Sequence, residues 1–192
     1  MSQVLEEVDR FFMQTSNLHE AARAICRELA ALQIPFAIAG ALAANAHGHR
    51  RTTEDVDLLM TREGLARFKK LRLGLGWVER FPGSKGLRDT RHLVKIDVIL
   101  TGEYPGDGKP IAFPDPAEVA EEDPEGLRFV NLRTLLELKL ASGMTAPHRL
   151  QDLADTMNLI RVNGLQQDYP LHPFVAEKYR ELWALARIED DA

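Results

Sequence analysis

The spacing of apolar positions changes several times along this chain, and each change predicts an element. In residues 3–14, Val4, Leu5, Val8, Phe11 and Phe12 share one face of a short helix. Asn17 has the side chain of an N-cap and predicts a second helix reaching Gln33, with Leu18, Ala22, Ile25, Leu29 and Leu32 at helical spacing. Pro35 blocks further helix, so residues 36–39 read as a buried strand ended by Gly40. Residues 41–46 favour a helix closed by Gly48.

Residues 55–60 read as a second strand, polar and apolar positions alternating from Asp55 to Leu58. Thr61 caps a helix over 62–73, which Gly74 and Gly76 end. Residues 77–80 form a short strand, 81–86 a turn and 91–100 a longer strand, followed by a Gly- and Pro-rich loop from 101 to 116. Beyond Pro124 the pattern is helical. Asn131 caps a helix that Gly143 terminates, Pro147 opens another that reaches Val162, and a last helix follows Pro173. The expected fold is α+β: a mixed sheet flanked by helices over residues 1–116, then a helical C-terminal region, 117–192, packed on that core.

Composition narrows the setting. The chain is 45% hydrophobic and 28% charged, as soluble globular proteins are. No run of about 18 apolar residues exists to span a membrane. The single Cys26 cannot form an internal disulfide, and the acidic N-terminal stretch Glu6, Glu7, Asp9 is unlike a signal peptide; both fit a cytoplasmic protein. The net charge of −5 is uneven: ten Lys/Arg against three Asp/Glu lie between Arg62 and Lys95. That stretch is either an ordinary solvated surface or a basic face for a polyanion.

The candidate chemistry lies in Asp55-Val56-Asp57. On a strand these two carboxylates point to one face while Val56 and Leu58 point to the other. Two carboxylates held together call for a cation, and Mg²⁺ or Mn²⁺ prefers such oxygen ligands. Asp97, inside the apolar run Lys95-Ile96-Asp97-Val98-Ile99-Leu100, is a poor packing choice and a fitting third ligand for a two-metal site. Upstream, Gly40 and Ala41 sit between a strand and a helix, where small residues let backbone N–H groups approach a phosphate. Alternatives stay open for each: a capping role for Asp57, a buried Arg partner for Asp97, a plain strand-to-helix turn at Gly40. His47 and His92 lack the spacing of a zinc site. No Walker A loop or nucleophile elbow is present.

Taken together, this order of motifs resembles the DNA polymerase β-like nucleotidyltransferase superfamily. Arg51-x-Thr53-x-Asp55-x-Asp57-Leu58 looks like the branch containing the AbiEii-type toxins and the lincosamide and aminoglycoside nucleotidyltransferases. Leu135-Leu136-Glu137-Leu138-Lys139-Leu140-Ala141, followed by Arg149-x-x-Asp152-Leu153-x-Asp155, looks like the AbiEii type in particular. The resemblance covers residues 34–160 and implies a nucleotidyltransferase-type mixed sheet. It departs from the pattern at Ala41, where many members carry Ser or Gly.

The resemblance implies that Asp55, Asp57 and Asp97 bind the metals, with NTP as substrate and Mg²⁺ or Mn²⁺ as cofactor. Gly40, Ala41, Arg51, Thr53, Lys139 and Asp152 would contact the nucleotide, Lys139 offsetting phosphate charge and Asp152 orienting it. An RNA or tRNA acceptor and a cognate antitoxin are the implied partners, with no membrane. A small-molecule, antibiotic-type nucleotidyltransferase is one alternative, and a non-catalytic nucleotide-binding or antitoxin-like protein on the same fold is the other. From the residues alone, Lys139 is either a site residue or a solvent-facing lysine. Arg149 and Asp152 read equally as an intrahelical ion pair, and Arg51 either binds phosphate or pairs with Asp55 or Glu54.

Overall fold

The computed structural model describes residues 3–105, 111–146 and 148–188. In chain order these form α1 (Gln3–Ala31), β1 (Phe36–Ile38), α2 (Gly40–Ala46), β2 (Asp55–Met60), α3 (Arg62–Arg72), β3 (Trp77–Glu79), β4 (Leu87–Asp89) and β5 (Lys95–Leu100). Then follow α4 (Pro116–Val119), β6 (Ala120–Glu122), β7 (Arg128–Val130), α5 (Leu132–Thr145), α6 (Leu150–Val162) and α7 (Pro173–Ile188). The architecture is the expected α+β one: a mixed sheet in the order β3-β4-β5-β2-β1-β7-β6, with a helical C-terminal part.

The two faces of the sheet have different jobs. Phe36 and Ile38 of β1, Val56, Leu58 and Met60 of β2, and Ile96, Val98 and Leu100 of β5 are buried with Ile25 and Leu29 of α1 and Leu65 and Phe68 of α3. Phe68 meets Trp77 edge to face, ring centroids 5.7 Å apart. On the other face Ala37, Ala39 and Leu59 pack against Ala43 and Ala44 of α2 and Leu135 and Leu136 of α5. A third cluster joins α5, α6 and α7 through Leu140, Ala141, Ile160, Val175 and Tyr179. The second face carries apolar residues at one end of β2 and carboxylates at the other, so the α5–α6 layer covers only part of it.

Several sequence-based expectations need correction. Residues 3–31 are one continuous helix, not two, and Asn17 lies inside it; without Gly or Pro, one capping-type side chain does not interrupt a chain whose apolar face continues. The strand expected over 91–100 begins at Lys95, because residues 91–94 complete the turn from β4, with Leu93 at φ 61°. Strands β4, β6 and β7 were not expected. Each has three residues, too few to show a period, and is fixed by cross-strand pairing; the equally short β1 and β3 were readable from the Pro35, Gly40 and Gly76 that flank them. Asn131 does cap α5, accepting from Thr134 N at 2.8 Å, but the helix runs through Gly143 to Thr145. Gly143 is a packing residue: a Cβ there would lie 2.6 Å from Leu153 Cγ of α6. Pro147 lies outside the described residues, and α6 begins at Leu150. By contrast β2 and the Thr61-capped α3 occur as expected, the Thr61 side chain accepting from Gly64 N.

Candidate functional site

Strand β2 pairs in parallel with β5, and Asp57 is the register partner of Asp97. Asp55, two residues before Asp57, points to the same face, while Val56 and Leu58 are buried behind it. The three carboxylates expected from the sequence therefore share one face of two adjacent central strands. Their partners differ. Asp55 Oδ1 accepts from the Thr53 hydroxyl at 2.9 Å. Asp97 is ion-paired with Arg80, which reaches across from the end of β3. Among the described residues nothing hydrogen-bonds the Asp57 carboxylate. Burial, then the charges of Asp55 and Asp97, push its pKa up to about 6, against the opposing pull of Lys139 and Arg149.

Gly40 explains how Asp57 fits. It follows β1 with φ 58°, a backbone that L side chains rarely adopt, and a Cβ there would lie on the Asp57 carboxylate, 2.6 Å from its Cγ. The glycine thus makes the space that the carboxylate occupies. Helix α2 starts at this point with no side chain capping it, so its first N–H groups remain available. Ala41 is buried, and its side chain is not on the cavity wall.

Facing Asp57 is a cavity of about 260 Å³ lined by Ala39, Gly40, Lys85, Lys139, Ser142, Arg149 and Asp152, among others. Lys139 is 6% exposed, so the solvent-facing reading is excluded. Its Nζ donates to Asp152 Oδ1 at 3.1 Å and Asp155 Oδ2 at 2.6 Å. Arg149 Nε donates to Asp152 Oδ2 at 2.8 Å, so the expected pair forms, but with Arg149 at the N-cap of α6 and not within the helix; Asp152 also orients Lys139. Arg51 pairs with neither Asp55 nor Glu54; it donates to Asp155 Oδ2 at 2.5 Å, which ties the loop before β2 to α6. Asp155 is fully buried, and His49 and Gln151 also contact it. Burial alone would raise its pKa, but Lys139, Gln151 and Arg51 outweigh that and lower it to about 2.

The sequence-based set is thus split in place. Asp57, Gly40, Lys139 and Asp152 line the cavity; Asp55 and Asp97 lie beside it on the sheet face; Arg51 and Thr53 brace Asp155 and Asp55 from outside. Three residues were missed. Asp155 sits in the motif but its partners are 16 and 104 residues away, so spacing gave no sign of its role. Ser142, one turn after Lys139, is a buried hydroxyl without a hydrogen-bond partner among the described residues, and it lines the same cavity. Lys85 lines it too, and is ion-paired with Glu103. A larger groove of about 630 Å³, lined by Glu118, Glu121, Asn131, Glu137 and Tyr169, touches none of the expected residues. The smaller cavity is where the charged chemistry converges.

The fold has known counterparts. No family model matches the sequence, and no curated protein gives a significant match. Among solved structures, the solution structure of the antibiotic-resistance factor ANT(2'')-Ia is similar, with a TM-score of 0.51 and 16% identity over 91% of this chain and 95% of that one. A crystal structure of ANT(2")-Ia in complex with adenylyl-2"-tobramycin aligns with a TM-score of 0.49 and 16% identity, covering 89% of this chain and 99% of that one. The chain has the nucleotidyltransferase fold.

The donor set also suits a hard divalent cation. It consists of carboxylate oxygens, and the Asp57 carboxylate is crowded by like charge and lacks a hydrogen bond among the described residues. Among the described residues, however, no three acid or histidine side chains already converge at metal-binding distance. Asp97 is turned toward Arg80, so a bound ion would draw it from that partner or share it.

Proposed function

We propose that this chain is a metal-dependent nucleotidyltransferase, moving an NMP from an NTP to a hydroxyl acceptor and releasing pyrophosphate. One observation carries the reading: an Asp57 carboxylate with no hydrogen bond among the described residues, beside Asp55 and Asp97, faces a buried Lys139 across a cavity floored by Gly40. Asp55, Asp57 and Asp97 would hold Mg²⁺ or Mn²⁺. When bound, the ion supplies charge neutralisation at the triphosphate and at the attacking oxygen.

The chain's own groups do the rest. Lys139, Arg149 and Lys85 bring positive charge to the cavity wall, where the triphosphate oxygens would lie. Gly40 and the uncapped start of α2 admit a phosphate close to the backbone. Asp97, beside the cavity on the same sheet face as Asp57, would receive the acceptor's proton. The acceptor oxygen bonds to the α-phosphorus, the bridging oxygen leaves with the electron pair on pyrophosphate, and alignment of the two supplies most of the rate.

Two acceptor classes follow from different observations. The Lys139, Arg149, Asp152 and Asp155 pattern favours an AbiEii-like toxin acting on an RNA or tRNA end and held by a cognate antitoxin. The fold shared with an aminoglycoside nucleotidyltransferase favours a small hydroxylated compound. The reaction itself is tested by calorimetric titration with NTP and Mg²⁺, and by label transfer from α-labelled NTP, in wild type and Asp57→Ala. The expected result is binding and transfer in wild type, with both lost in the variant. Equal metal–NTP binding by the two proteins would overturn the metal role of Asp57.

A further inference from the structure

The carboxylate face of the sheet continues outward beyond Asp97, and its next side chains are basic. In one row of the register Asp55 of β2 lies opposite Lys95 of β5, Lys95 opposite Arg88 of β4, and Arg88 opposite Val78 of β3. In the next row Asp57 lies opposite Asp97, and beyond them Arg80 crosses Gly86 to reach Asp97; a Cβ on Gly86 would lie 2.8 Å from Arg80 Cδ. Lys95 and Arg88 are exposed. They stand outside the cavity that holds Lys139.

This pair is electrostatically odd. Like charges directly opposite each other on neighbouring strands destabilise a sheet. Four basic residues of this stretch show the usual remedy: Lys69 pairs with Glu79, Arg72 with Glu28, Arg80 with Asp97 and Lys85 with Glu103; others, such as Arg67 and Lys70 of α3, have no ion pair among the described residues, but no like charge lies opposite them across a strand pair. Among the described residues Lys95 and Arg88 have no ion-pair partner. The nearest acid in register, Asp55, takes its hydrogen bond from Thr53 instead.

Resting on the nucleotidyltransferase reading, we propose that Lys95 and Arg88 form the acceptor shelf, and that the acceptor is an anion whose hydroxyl is accompanied by phosphate. With the nucleotide in the Lys139 cavity, an acceptor reaches Asp97 from the open flank, over these two side chains. A phosphate there relieves the repulsion between them. A polyamine sugar such as an aminoglycoside would add to it, so the shared fold does not extend to a shared acceptor. The phosphate has two possible sources, an RNA end or a small phosphorylated sugar.

The test uses the full chain with Mg²⁺ and a non-hydrolysable NTP. Fluorescence anisotropy reads binding of a labelled RNA oligonucleotide with a free 3′-hydroxyl, in competition with ribose 5-phosphate or kanamycin. Wild type is expected to bind the oligonucleotide, and Arg88→Glu/Lys95→Glu to weaken it at least tenfold while NTP affinity by calorimetry stays within twofold. Arg67→Glu/Lys70→Glu, an equal charge change on α3 behind the sheet, is expected to weaken it less than threefold. Displacement by ribose 5-phosphate marks a small acceptor and resistance to it a polynucleotide; either supports the shelf. Preferential binding of kanamycin, or unchanged binding in the shelf variant, overturns it. Absence of NTP binding in wild type would instead sink the proposed reaction.

Discussion

Two charged regions a few side chains apart solve opposite problems. Around Lys139, every charge has a partner inside the protein: Asp152 and Asp155 receive Lys139, Arg149 and Arg51 at 2.5 to 3.1 Å. Around Asp57, three carboxylates share one sheet face and the central one has no hydrogen bond among the described residues. The first region is complete as folded. On the proposed reading, the second is completed by a cation added from outside. The fully paired charges and the under-paired ones thus stand on opposite sides of the cavity.

The largest expected effect breaks the complete region. Asp155→Ala leaves Lys139 and Arg51 facing each other without their shared carboxylate, and urea denaturation should show a loss of about 3–5 kcal/mol. Asp155→Leu tests the reason: if lost volume rather than unpaired charge were responsible, this larger side chain would restore stability.

Next in size is Gly40→Ala. It combines a strained φ of 58° with a methyl placed on the Asp57 carboxylate. A stability loss of about 1–3 kcal/mol is expected, with metal–NTP affinity falling further than in a control such as Gly126→Ala, which also has positive φ but open space around it.

Titration separates the two regions by sign. Asp57 binds its proton more tightly folded than unfolded, so metal-free stability should fall as pH rises from 3.8 to about 6. Asp155 binds its proton less tightly folded, so its stabilisation is present above 3.8 and lost as pH falls toward about 2. Urea midpoints measured with chelator across this range should lose the upper slope in Asp57→Asn and the lower one in Asp155→Asn. Saturating Mg²⁺ should flatten only the upper slope. The smallest effect belongs to Arg80→Ala. Its pair with Asp97 is well exposed, so stability should change by less than about 1 kcal/mol. Metal affinity by calorimetry should rise, since Asp97 loses a competitor for its carboxylate.

The sequence made the second region readable and the first one only in part. Asp55, Asp57 and Asp97 interrupt apolar strand patterns, and a charge in such a run is visible without a structure. Lys139 and Asp152 were recognisable from the motif around them, but their geometry was not. Asp155 draws its partners from α5 and from the loop before β2, and local spacing carries no sign of such distant pairs. The same limit applies to the fold. Six-residue strands and capped helices show their period; three-residue strands such as β4 and β7 do not, because neighbouring strands rather than their own pattern define them. Gly143 was misread as a stop for a related reason, since its purpose is the close approach of Leu153 from another helix.

The bond from Arg51 to Asp155 has a consequence for anyone wishing to transplant this site. The loop that leads into the carboxylate strand is anchored on a helix more than a hundred residues later, the two partners standing 104 positions apart. A designer who grafted β2 and β5 onto another sheet would carry over the carboxylates and leave behind the fastening that sets their approach. The smallest portable unit therefore includes α5 and α6, and a minimal version of this protein has to be trimmed from its ends inward rather than cut at the edge of its sheet.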